Sequence, residues 1–483
     1  MKKQIFDGIW WIPAYPNLEV AGILTFDPIE GSTLETIGND FSAQIKMMQG
    51  IHEEGTDYIY EPNKIEFEII LGIHKNTNIT LVKCVRNGVT MAPSYRSSKW
   101  SVDIILLNCH FRFLEDIVFD NLDVEFSELT PWMNTGNLHS GFTFDDQKKL
   151  VNLGVDYQFP SPIEYFVNNI KLRFVFGGTE KSAQTDYHLT LSSYIEITPS
   201  AALSLTQYNL EIIHKLRSFL SLYMGIPIIT TSIKGKSLKS YVLDRKGNHV
   251  YVPLEVLAPA QGSNLINEIK LSPNRQICNF VQLKPNFQAY LQKWFNSYDM
   301  IKSAIDLFFG LRYAPPVYAR FEFLNVAQAF ESYQRDMYGG QFVIPKEYEV
   351  ISAYLVKQIP ETLAKDHRDS LIGRIQYGYE YSLRKRMKFI FDQVLAPYKA
   401  TIQKLVPDKG KFIDDFVNTR NHLTHYTEET KVKAITDPIE FNDFTIRLKK
   451  LLELCFIHET GLSSELVEEI YKENRHLSWW SDD

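Results

Sequence analysis

An arginine and a histidine near residue 420 are of the types that could cleave RNA. RNA can be cut without a metal when its own 2′-hydroxyl attacks the neighbouring phosphate. This reaction needs a base near the hydroxyl and a positively charged group next to the phosphate. Histidine has a reference pKa of about 6.5 and can serve as the acid or base, and the planar arginine fork can hold the phosphate. Arg420 and His425 are of these types, and with the polar Asn421 that follows the arginine they are named here the candidate catalytic group.

One helix is predicted to carry this group. The segment Lys411–Tyr426 reads KFIDDFVNTRNHLTHY, and its apolar residues recur at helical spacing: Phe412, Ile413, Phe416, Val417 and Leu423. Asn421 and His425 are four residues apart, so a helix places them on one face, one turn from each other. We expect His422 to point elsewhere, about 100° from Asn421 around the helix axis.

The Arg-x4-His spacing is by itself a weak signal. The chain has 17 arginines and 12 histidines, so about one such pair is expected by chance when four to six intervening residues are allowed. Arg420–His425 is that pair, and its place on a predicted helix with asparagine after the arginine favours a functional group. The alternative is a polar helix end, in which Arg420 and His425 are merely favoured near the C-terminal dipole.

Two other charged groups on predicted helices each allow two interpretations. A basic run on a long predicted helix could hold RNA phosphates as a substrate-binding surface, or it could be a solvated face: Arg384, Lys385, Arg386 and Lys388. Glu331 and Arg335 are four residues apart and could form a surface ion pair worth about 0.3–0.5 kcal/mol. A supporting role for Glu331 in catalysis is the alternative.

These motifs resemble the ApeA-like HEPN family. The candidate catalytic group matches the spacing of the HEPN ribonuclease motif, in which a polar residue usually follows the arginine. The segment Phe323–Arg335, FLNVAQAFESYQR, resembles the first helix of that family's HEPN domain. Trp10–Pro13 followed by Gly22–Phe26, GILTF, resembles the opening of its N-terminal region. The similarity runs through most of the chain.

The resemblance implies an α+β multidomain protein, with an N-terminal antiparallel β-sandwich-like region followed by a C-terminal all-α HEPN helical bundle. It implies a metal-independent endoribonuclease of anti-phage abortive-infection defence that cleaves RNA through the 2′-hydroxyl and leaves a cyclic phosphate. Arg420, Asn421 and His425 carry over as the catalytic residues, with no cofactor. Two motif helices would meet across a homodimer to build one composite site.

The same resemblance implies a sensing or regulatory N-terminal region, for which a phage-derived trigger is a candidate partner. The alternative function is a non-catalytic ligand- or partner-sensing protein with a helical dimerisation bundle, because some HEPN domains lack activity. We expect Arg420 and His425 to open into a dimer cleft if the protein is a nuclease, and to be buried and paired within one chain if it is a sensor.

Strand and helix patterns divide the chain into two predicted domains, 1–275 and 276–483. Residues 1 to about 205 show alternating apolar residues and polar turns, as in Ile65–Ile73. Helical periodicity dominates from about residue 285 and predicts single helices over Phe287–Phe309 and Asp369–Leu395. A further helix is predicted from Asp437, its cap, to His458. Ala258–Asn274 is rich in Pro, Gly, Ser and Asn and is the predicted linker. The tryptophans of the β region are expected in a core or rim, with a binding groove as the alternative: Trp10, Trp11, Trp100 and Trp132.

Composition limits the classes of function. A hydrophobic content of 45% and a charged content of 23% are those of a globular protein, and the net charge of −7 argues against a protein that coats long nucleic acid duplexes. The net charge is −6 over residues 1–275 and −1 over 276–483, which is compatible with local RNA binding.

Cysteine spacing and hydropathy predict a protein of the reducing cytoplasm. The four cysteines are scattered and show no metal-binding or disulfide pattern: Cys84, Cys109, Cys278 and Cys455. The longest apolar stretch, Phe219–Ile229, is too short to span a bilayer. We therefore expect no metal site and no membrane association.

Overall fold

The chain divides into two structural units. The computed structural model describes residues 2–41, 44–45, 65–92, 95–133, 138–259, 270–271 and 276–473. One unit comprises Met1–Leu271 with Asn279–Gln288, and the other comprises Ser272–Cys278 with Ala289–Asp483. The linker predicted at Ala258–Asn274 and the boundary near residue 275 fall largely outside the described residues.

The first unit consists mainly of antiparallel strands, which confirms the predicted class of the N-terminal region. Its strands are β1 (Gln4–Trp11), β2 (Val20–Asp27), β3 (Gly31–Thr36), β4 (Glu66–His74), β5 (Thr77–Ala92), β6 (Tyr95–Leu107), β7 (Val118–Phe119), β8 (Asn121–Phe126), β9 (Leu138–Phe144), β10 (Leu150–Tyr157), β11 (Ile163–Val167), β12 (Ile170–Ser182), β13 (Tyr187–Thr198), β14 (Leu203–Ser204), β15 (Thr230–Lys236), β16 (Tyr241–Leu243), β17 (His249–Tyr251) and β18 (Leu254–Leu257). Twelve of the described strands form one sheet in the order β11-β12-β13-β8-β15-β18-β6-β3-β2-β1-β4-β5.

The first six strands close into a ring. Strand β5 pairs with β6 as well as with β4, so β6-β3-β2-β1-β4-β5 returns to its own start. The inward side chains alternate along each strand and form one apolar cluster that includes Phe26, Leu34 and Trp100. The sequence predicted a sandwich-like antiparallel region without predicting this barrel. The rest of the sheet continues from β6 through β18.

Trp10 explains the tryptophan and glycine spacing at the start of the chain. Its indole Nε1–H donates to the carbonyl oxygen of Gly22 at 3.0 Å, and its ring lies against Gly72. A Cβ at Gly72 would lie 2.1 Å from the ring, so only glycine fits there. Trp10, Trp100 and Trp132 are buried in cores, and Trp11 is half-buried with its ring centroid 5.2 Å from that of His110, which agrees with the predicted core or rim positions.

A hairpin outside the main sheet exposes an apolar face. Strands β9 and β10 pair only with each other in the described structure, and every residue of β9 is exposed. Alternation places the apolar side chains on one side and polar or glycine residues on the other. The apolar side is exposed to between 53% and 58% at five positions, which are Leu138, Phe142, Phe144, Leu153 and Val155.

The second unit is helical, which confirms the predicted class of the C-terminal region. Among the described residues of both units, the α-helices with defined bounds are α1 (Leu129–Trp132), α2 (Leu205–Tyr208), α3 (His214–Met224), α4 (Phe280–Leu283), α5 (Phe287–Tyr298), α6 (Lys302–Tyr313), α7 (Ala319–Tyr338), α8 (Pro345–Lys357), α9 (Lys365–Gln376), α10 (Leu383–Phe389), α11 (Lys399–Leu405), α12 (Lys409–His425), α13 (Glu428–Lys431), α14 (Pro438–Thr460) and α15 (Ser464–Glu473). None of these described helices is long and apolar enough to cross a membrane.

Two long helices predicted from periodicity are each interrupted. The helix predicted at Phe287–Phe309 is two helices, α5 and α6. The helix predicted at Asp369–Leu395 is α9 and α10, separated by a turn through Gly378. Ser382 starts α10 because its hydroxyl accepts a hydrogen bond from the backbone N–H of Lys385 at 3.3 Å. Apolar spacing continues across both interruptions, which is why the pattern alone predicted single helices.

Aromatic side chains join three helices of the second unit. Phe323 of α7 is fully buried, and its ring centroid lies 5.9 Å from that of Phe416 on α12. It also lies 5.4 Å from the ring of Phe441 and 6.3 Å from that of Phe444, both on α14. These contacts fix α12 against α7 and α14, and thereby position the predicted catalytic group.

Candidate active site

Helix α12 has defined signals at both ends. The Asp408 carboxylate accepts a hydrogen bond from the backbone N–H of Lys411 at 2.9 Å, which caps the first turn. At the other end Tyr426 adopts the left-handed conformation, with φ 51° and ψ 37°, and its N–H donates to the carbonyl oxygen of His422 at 2.7 Å. The observed span, Lys409–His425, matches the helix predicted from the sequence.

One face of α12 is buried, and the candidate catalytic group lies outside that face. Four residues of the predicted apolar stripe are buried, and Val417 of that stripe is only half-buried. Thr419 is buried with them, and its hydroxyl accepts a hydrogen bond from the N–H of Ile435 at 3.1 Å. Phe416 also contacts Phe330 of α7, with ring centroids 6.1 Å apart. The backbone that carries Arg420 is therefore held by packing on its buried side.

Arg420 forms an ion pair with a neighbouring helix. Its Nη2 donates to Oε1 of Glu331 on α7 at 3.1 Å, and the two side chains are 31% and 22% exposed. The expected pair between Glu331 and Arg335 is not formed, because Arg335 contacts Asp336 at 3.0 Å instead. The structure thus brings Glu331 to the candidate catalytic group, from a position 89 residues away in the sequence.

His425 lies apart from Arg420 on the surface of α12. Five residues correspond to about 140° around a helix axis, so the two side chains leave the helix in different directions. His425 is exposed and Asn421 is half-buried. Within the described part of the chain, no hydrogen bond or ion pair connects Arg420, Asn421 and His425 to one another. One protomer therefore presents the three residues without assembling them.

His422 belongs to the opposite flank of α12. Its Nδ1 lies 3.2 Å from the hydroxyl oxygen of Thr430 on α13, and its ring centroid lies 5.6 Å from that of Tyr426. These contacts direct His422 away from Arg420, as the helical spacing predicts.

Two family models match the chain. Residues 6–294 match ApeA N-terminal domain 1, and residues 324–466 match Apea-like HEPN. The chain belongs to the ApeA-like HEPN family of anti-phage proteins. No curated protein and no solved structure matches it. The HEPN match of this ApeA-like protein contains both Glu331 and the whole of α12.

The basic run of this ApeA-like protein does not form one surface. Arg386 is only 6% exposed, its Nη1 donates to Oε1 of Gln334 at 2.5 Å, and it pairs with Glu380 at 3.5 Å. Arg384 is half-buried and forms an ion pair with Asp414 of α12. Lys388 is exposed. The burial of Arg386 argues against direct contact between this residue and a phosphate, whereas Arg384 and Lys388 stay candidates.

The described residues contain no cluster of three or more His, Cys, Asp or Glu side chains that could hold a metal ion. The four cysteines are buried free thiols, and burial raises the pKa of the Cys109 thiol to about 12. Such thiols are inert as nucleophiles near neutral pH. The ionisable groups at the surface of α12 are thus the better candidates for chemistry in this ApeA-like protein.

Proposed function

We propose that this ApeA-like protein is a metal-independent endoribonuclease that acts in anti-phage abortive-infection defence. Family membership indicates a nuclease-type defence function. The observation that supports the specific activity is the arrangement on α12, where packing holds the helix while His425 stays exposed at its C-terminal end. An exposed histidine on a helix that is held by packing can reach a large, flexible substrate such as RNA.

The proposed reaction needs only groups from the protein and the RNA. A base takes the proton of the 2′-hydroxyl, the O2′–P bond forms and the P–O5′ bond breaks. An acid then gives a proton to the leaving O5′. The products are a 2′,3′-cyclic phosphate and a 5′-hydroxyl. His425 is the group proposed for proton transfer, which typically contributes about 10²–10⁴-fold to the rate.

Arg420 is proposed to hold the scissile phosphate and to stabilise the charge that develops on it. Its guanidinium has five N–H donors, and the contact with Glu331 uses the Nη2 side of that fork. Glu331 would act as a positioning residue, because it fixes the plane of the guanidinium without contacting the RNA. Asn421 would orient His425 or donate to a phosphate oxygen.

A composite site between two copies of the chain would complete this chemistry. The reaction needs one group that accepts a proton and one that donates it, whereas each protomer supplies a single motif histidine. A two-fold axis through the exposed ends of two α12 helices would bring two His425 side chains to one phosphate. We therefore propose that the active species is a homodimer, or a larger assembly built from such dimers.

The alternative function is sensing without catalysis, and one observation favours it. Arg420 is already paired within its own chain, by Glu331, as expected for a structural residue. The sensing hypothesis also expects His425 to be buried, but His425 is exposed. A sensing role for the N-terminal unit is compatible with both functions. The apolar face of the β9–β10 hairpin is our candidate surface for a phage-derived trigger.

The test is cleavage of total cellular RNA by purified protein in the presence of EDTA, with Arg420→Ala as the control. We expect the wild-type protein to cut RNA equally well with EDTA and with Mg²⁺, and the variant to be inactive in both. Restoration of wild-type cleavage by Mg²⁺ after loss in EDTA would contradict the proposed mechanism. Equal activity of the wild-type protein and Arg420→Ala would show that Arg420 has no part in the proposed mechanism.

A further inference from the structure

A pocket of about 540 Å³ opens beside the end of α12. This volume lies within the range of about 300–1,000 Å³ that is usual for pockets that hold small organic ligands. The start of α7 and the end of α12 form two of its sides, and the start of α14 forms a third. His422 and Tyr426 contribute from α12, so the pocket begins one residue from His425.

Aromatic side chains in solvent dominate the rim of this pocket. Tyr318, Phe321 and Tyr426 all line it, and they are 82%, 60% and 60% exposed. Aromatic rings of this size are usually covered in a folded protein. Three rings that converge on one pocket offer flat surfaces on which another planar group can stack. A nucleobase is such a group, and every base has a π-face for this contact.

The polar lining fits an anionic ligand such as a nucleotide better than a cationic one. Arg320 and His422 line the pocket together with the hydroxyl-bearing Thr436. Among the described residues that form the lining, none is Asp or Glu. Arginine and histidine can donate to a phosphate or to a base edge, and no carboxylate in the lining repels the RNA backbone.

Tyr426 supplies an independent observation. Its backbone has φ 51°, in the left-handed region where a helix normally ends on glycine or asparagine. A bulky residue in this conformation is strained, and such strain is found most often at functional sites. Helix termination alone would be served better by glycine. A tyrosine occupies this position instead, and its ring lies on the pocket rim, where it can contact a ligand.

We propose that this pocket binds one nucleobase of a single-stranded RNA substrate, in the nucleotide next to the scissile phosphate. The proposal rests on the proposed ribonuclease function and adds a specificity-determining subsite to it. Tyr318, Phe321 and Tyr426 stack on the base, and Arg320 and His422 contact its edge or its phosphate. Base identity in this pocket then selects which phosphate reaches Arg420 and His425.

The first test measures binding of RNAs that cannot be cleaved through a 2′-hydroxyl. The probes are single-stranded eight-nucleotide RNAs, 2′-O-methylated throughout, either intact or with one abasic position moved along the chain. We expect an abasic position at the pocket to raise the Kd of the wild-type protein by about 5- to 150-fold, the usual range for one base stacked on an aromatic side chain. No sensitivity to abasic sites at any position would overturn the proposal.

Side-chain variants locate the contact. Tyr318→Ala and Phe321→Ala alter exposed positions and should fold normally, which circular dichroism and thermal melting check. Each should weaken binding of the intact RNA and reduce the penalty of the abasic position. Tyr354→Ala, at a 65% exposed tyrosine on α8, is the matched control and should bind as the wild type does. An unchanged abasic penalty in both pocket variants would overturn the proposal.

Tyr426→Gly separates a binding role from a structural one. Glycine relieves the left-handed strain, so the melting temperature should rise while affinity for the intact RNA falls. Affinity equal to that of the wild type would show that the ring has no part in binding and would contradict the proposal.

The outcomes also distinguish this subsite from the proposed function and from a protein partner. Base-dependent binding without cleavage of unmodified RNA would contradict only the ribonuclease, and cleavage without base-dependent binding would contradict only the pocket. If Tyr318→Ala and Phe321→Ala dissociate a dimer in sedimentation and leave RNA affinity per protomer unchanged, the pocket holds a second copy of the chain and the nucleobase assignment is wrong.

Discussion

Single residues on α12 have different tasks because a helix sends neighbouring side chains in different directions. Arg420 meets Glu331 on one flank, His422 meets Thr430 on the other, and His425 faces solvent. The spacing of Arg420 and His425 could be found in the sequence, since it lies within one helix. The role of Glu331 as the partner of Arg420 could not, because it depends on how α7 and α12 cross.

His425 should be required for cleavage where His422 is not. The two histidines are three residues apart, about 60° around the axis, and His422 is directed towards Thr430. We expect His425→Ala to lower the single-turnover cleavage rate by about a hundredfold or more, the usual contribution of acid–base catalysis. His422→Ala should lower that rate by less than about tenfold. His367→Ala, at an exposed histidine on α9, is the control. A large loss confined to His422→Ala would contradict the motif assignment.

Glu331 should act on cleavage through Arg420. We expect Glu331→Ala to reduce kcat/KM by about tenfold, since a misplaced guanidinium contacts the phosphate less well, and Glu331→Gln to restore part of the rate by keeping an acceptor oxygen. In an Arg420→Ala background, Glu331→Ala should have no further effect.

The matched control for Glu331 is Glu322→Ala, which removes another carboxylate of α7 from its ion pair with Lys449. This variant should cleave normally. Additive losses in the Glu331→Ala, Arg420→Ala double variant would show that the two residues act independently, against the positioning role.

At the scale of elements, the helical unit depends on buried polar contacts as well as aromatic packing. Glu453 of α14 is almost fully buried and contacts Arg312 at 2.5 Å and Lys450 at 2.8 Å. Burial alone would raise the pKa of its carboxyl group, but Lys450 and Arg312 lower it below the ordinary value of 4.5. Because the folded pKa is the lower one, this group stabilises the fold above about pH 4.5, and the contribution is lost as the pH falls through the folded pKa.

Glu453→Gln should therefore destabilise the protein in a pH-dependent way. We expect a loss of about 3–5 kcal/mol in the free energy of unfolding at pH 7, the usual effect of breaking a buried ion pair. The difference from wild type should shrink below pH 4.5 in urea titrations. Asp306→Asn, in an exposed ion pair with Lys302, should cost less than about 1 kcal/mol. A wild-type to Glu453→Gln difference that stays constant from pH 7 to pH 3 would contradict this account.

Sequence patterns gave reliable information on elements wherever the signal was local. The apolar stripe located α12. Asp437 was identified as the cap of α14, where its carboxylate accepts hydrogen bonds from the N–H groups of Ile439 and Glu440. The start of α10 was not predicted, because the apolar spacing continues through Ser382. Ser382 is the N-cap of that helix. Caps decide the ends of helices more directly than hydrophobic spacing does.

At the scale of the whole molecule, the long-range pairings were not predictable. The pairings of β1 with β2, β2 with β3 and β4 with β5 join strands that are neighbours in the sequence, but the ring closes through β1 with β4 and β3 with β6. Such pairings depend on inward residues that fit together, as Trp10 does with Gly22 and Gly72. The antiparallel class of the first unit and the helical class of the second were predictable, because strand and helix periods differ.

Gly72→Ala should destabilise the barrel. The new methyl group would overlap the Trp10 ring and force it from its position against β4, at a cost of about 1–3 kcal/mol or more. Gly154→Ala, in the exposed strand β10, has no atom within 4 Å of the new Cβ and is the control. Thermal melts of the full chain measure both. Equal melting temperatures for wild type and Gly72→Ala would show that the barrel core tolerates a shift of Trp10.

The central claim is that the RNA's own 2′-hydroxyl is the nucleophile and that Arg420 and His425 promote its attack. The most direct measurement uses an RNA with one mapped cut site, in which a single 2′-deoxynucleotide replaces the residue that bears the attacking hydroxyl. We predict that the protein cuts the all-RNA strand to a 2′,3′-cyclic phosphate and a 5′-hydroxyl, and leaves the substituted position intact. Cleavage at the deoxy position, or products with a 3′-hydroxyl and a 5′-phosphate, would contradict the account.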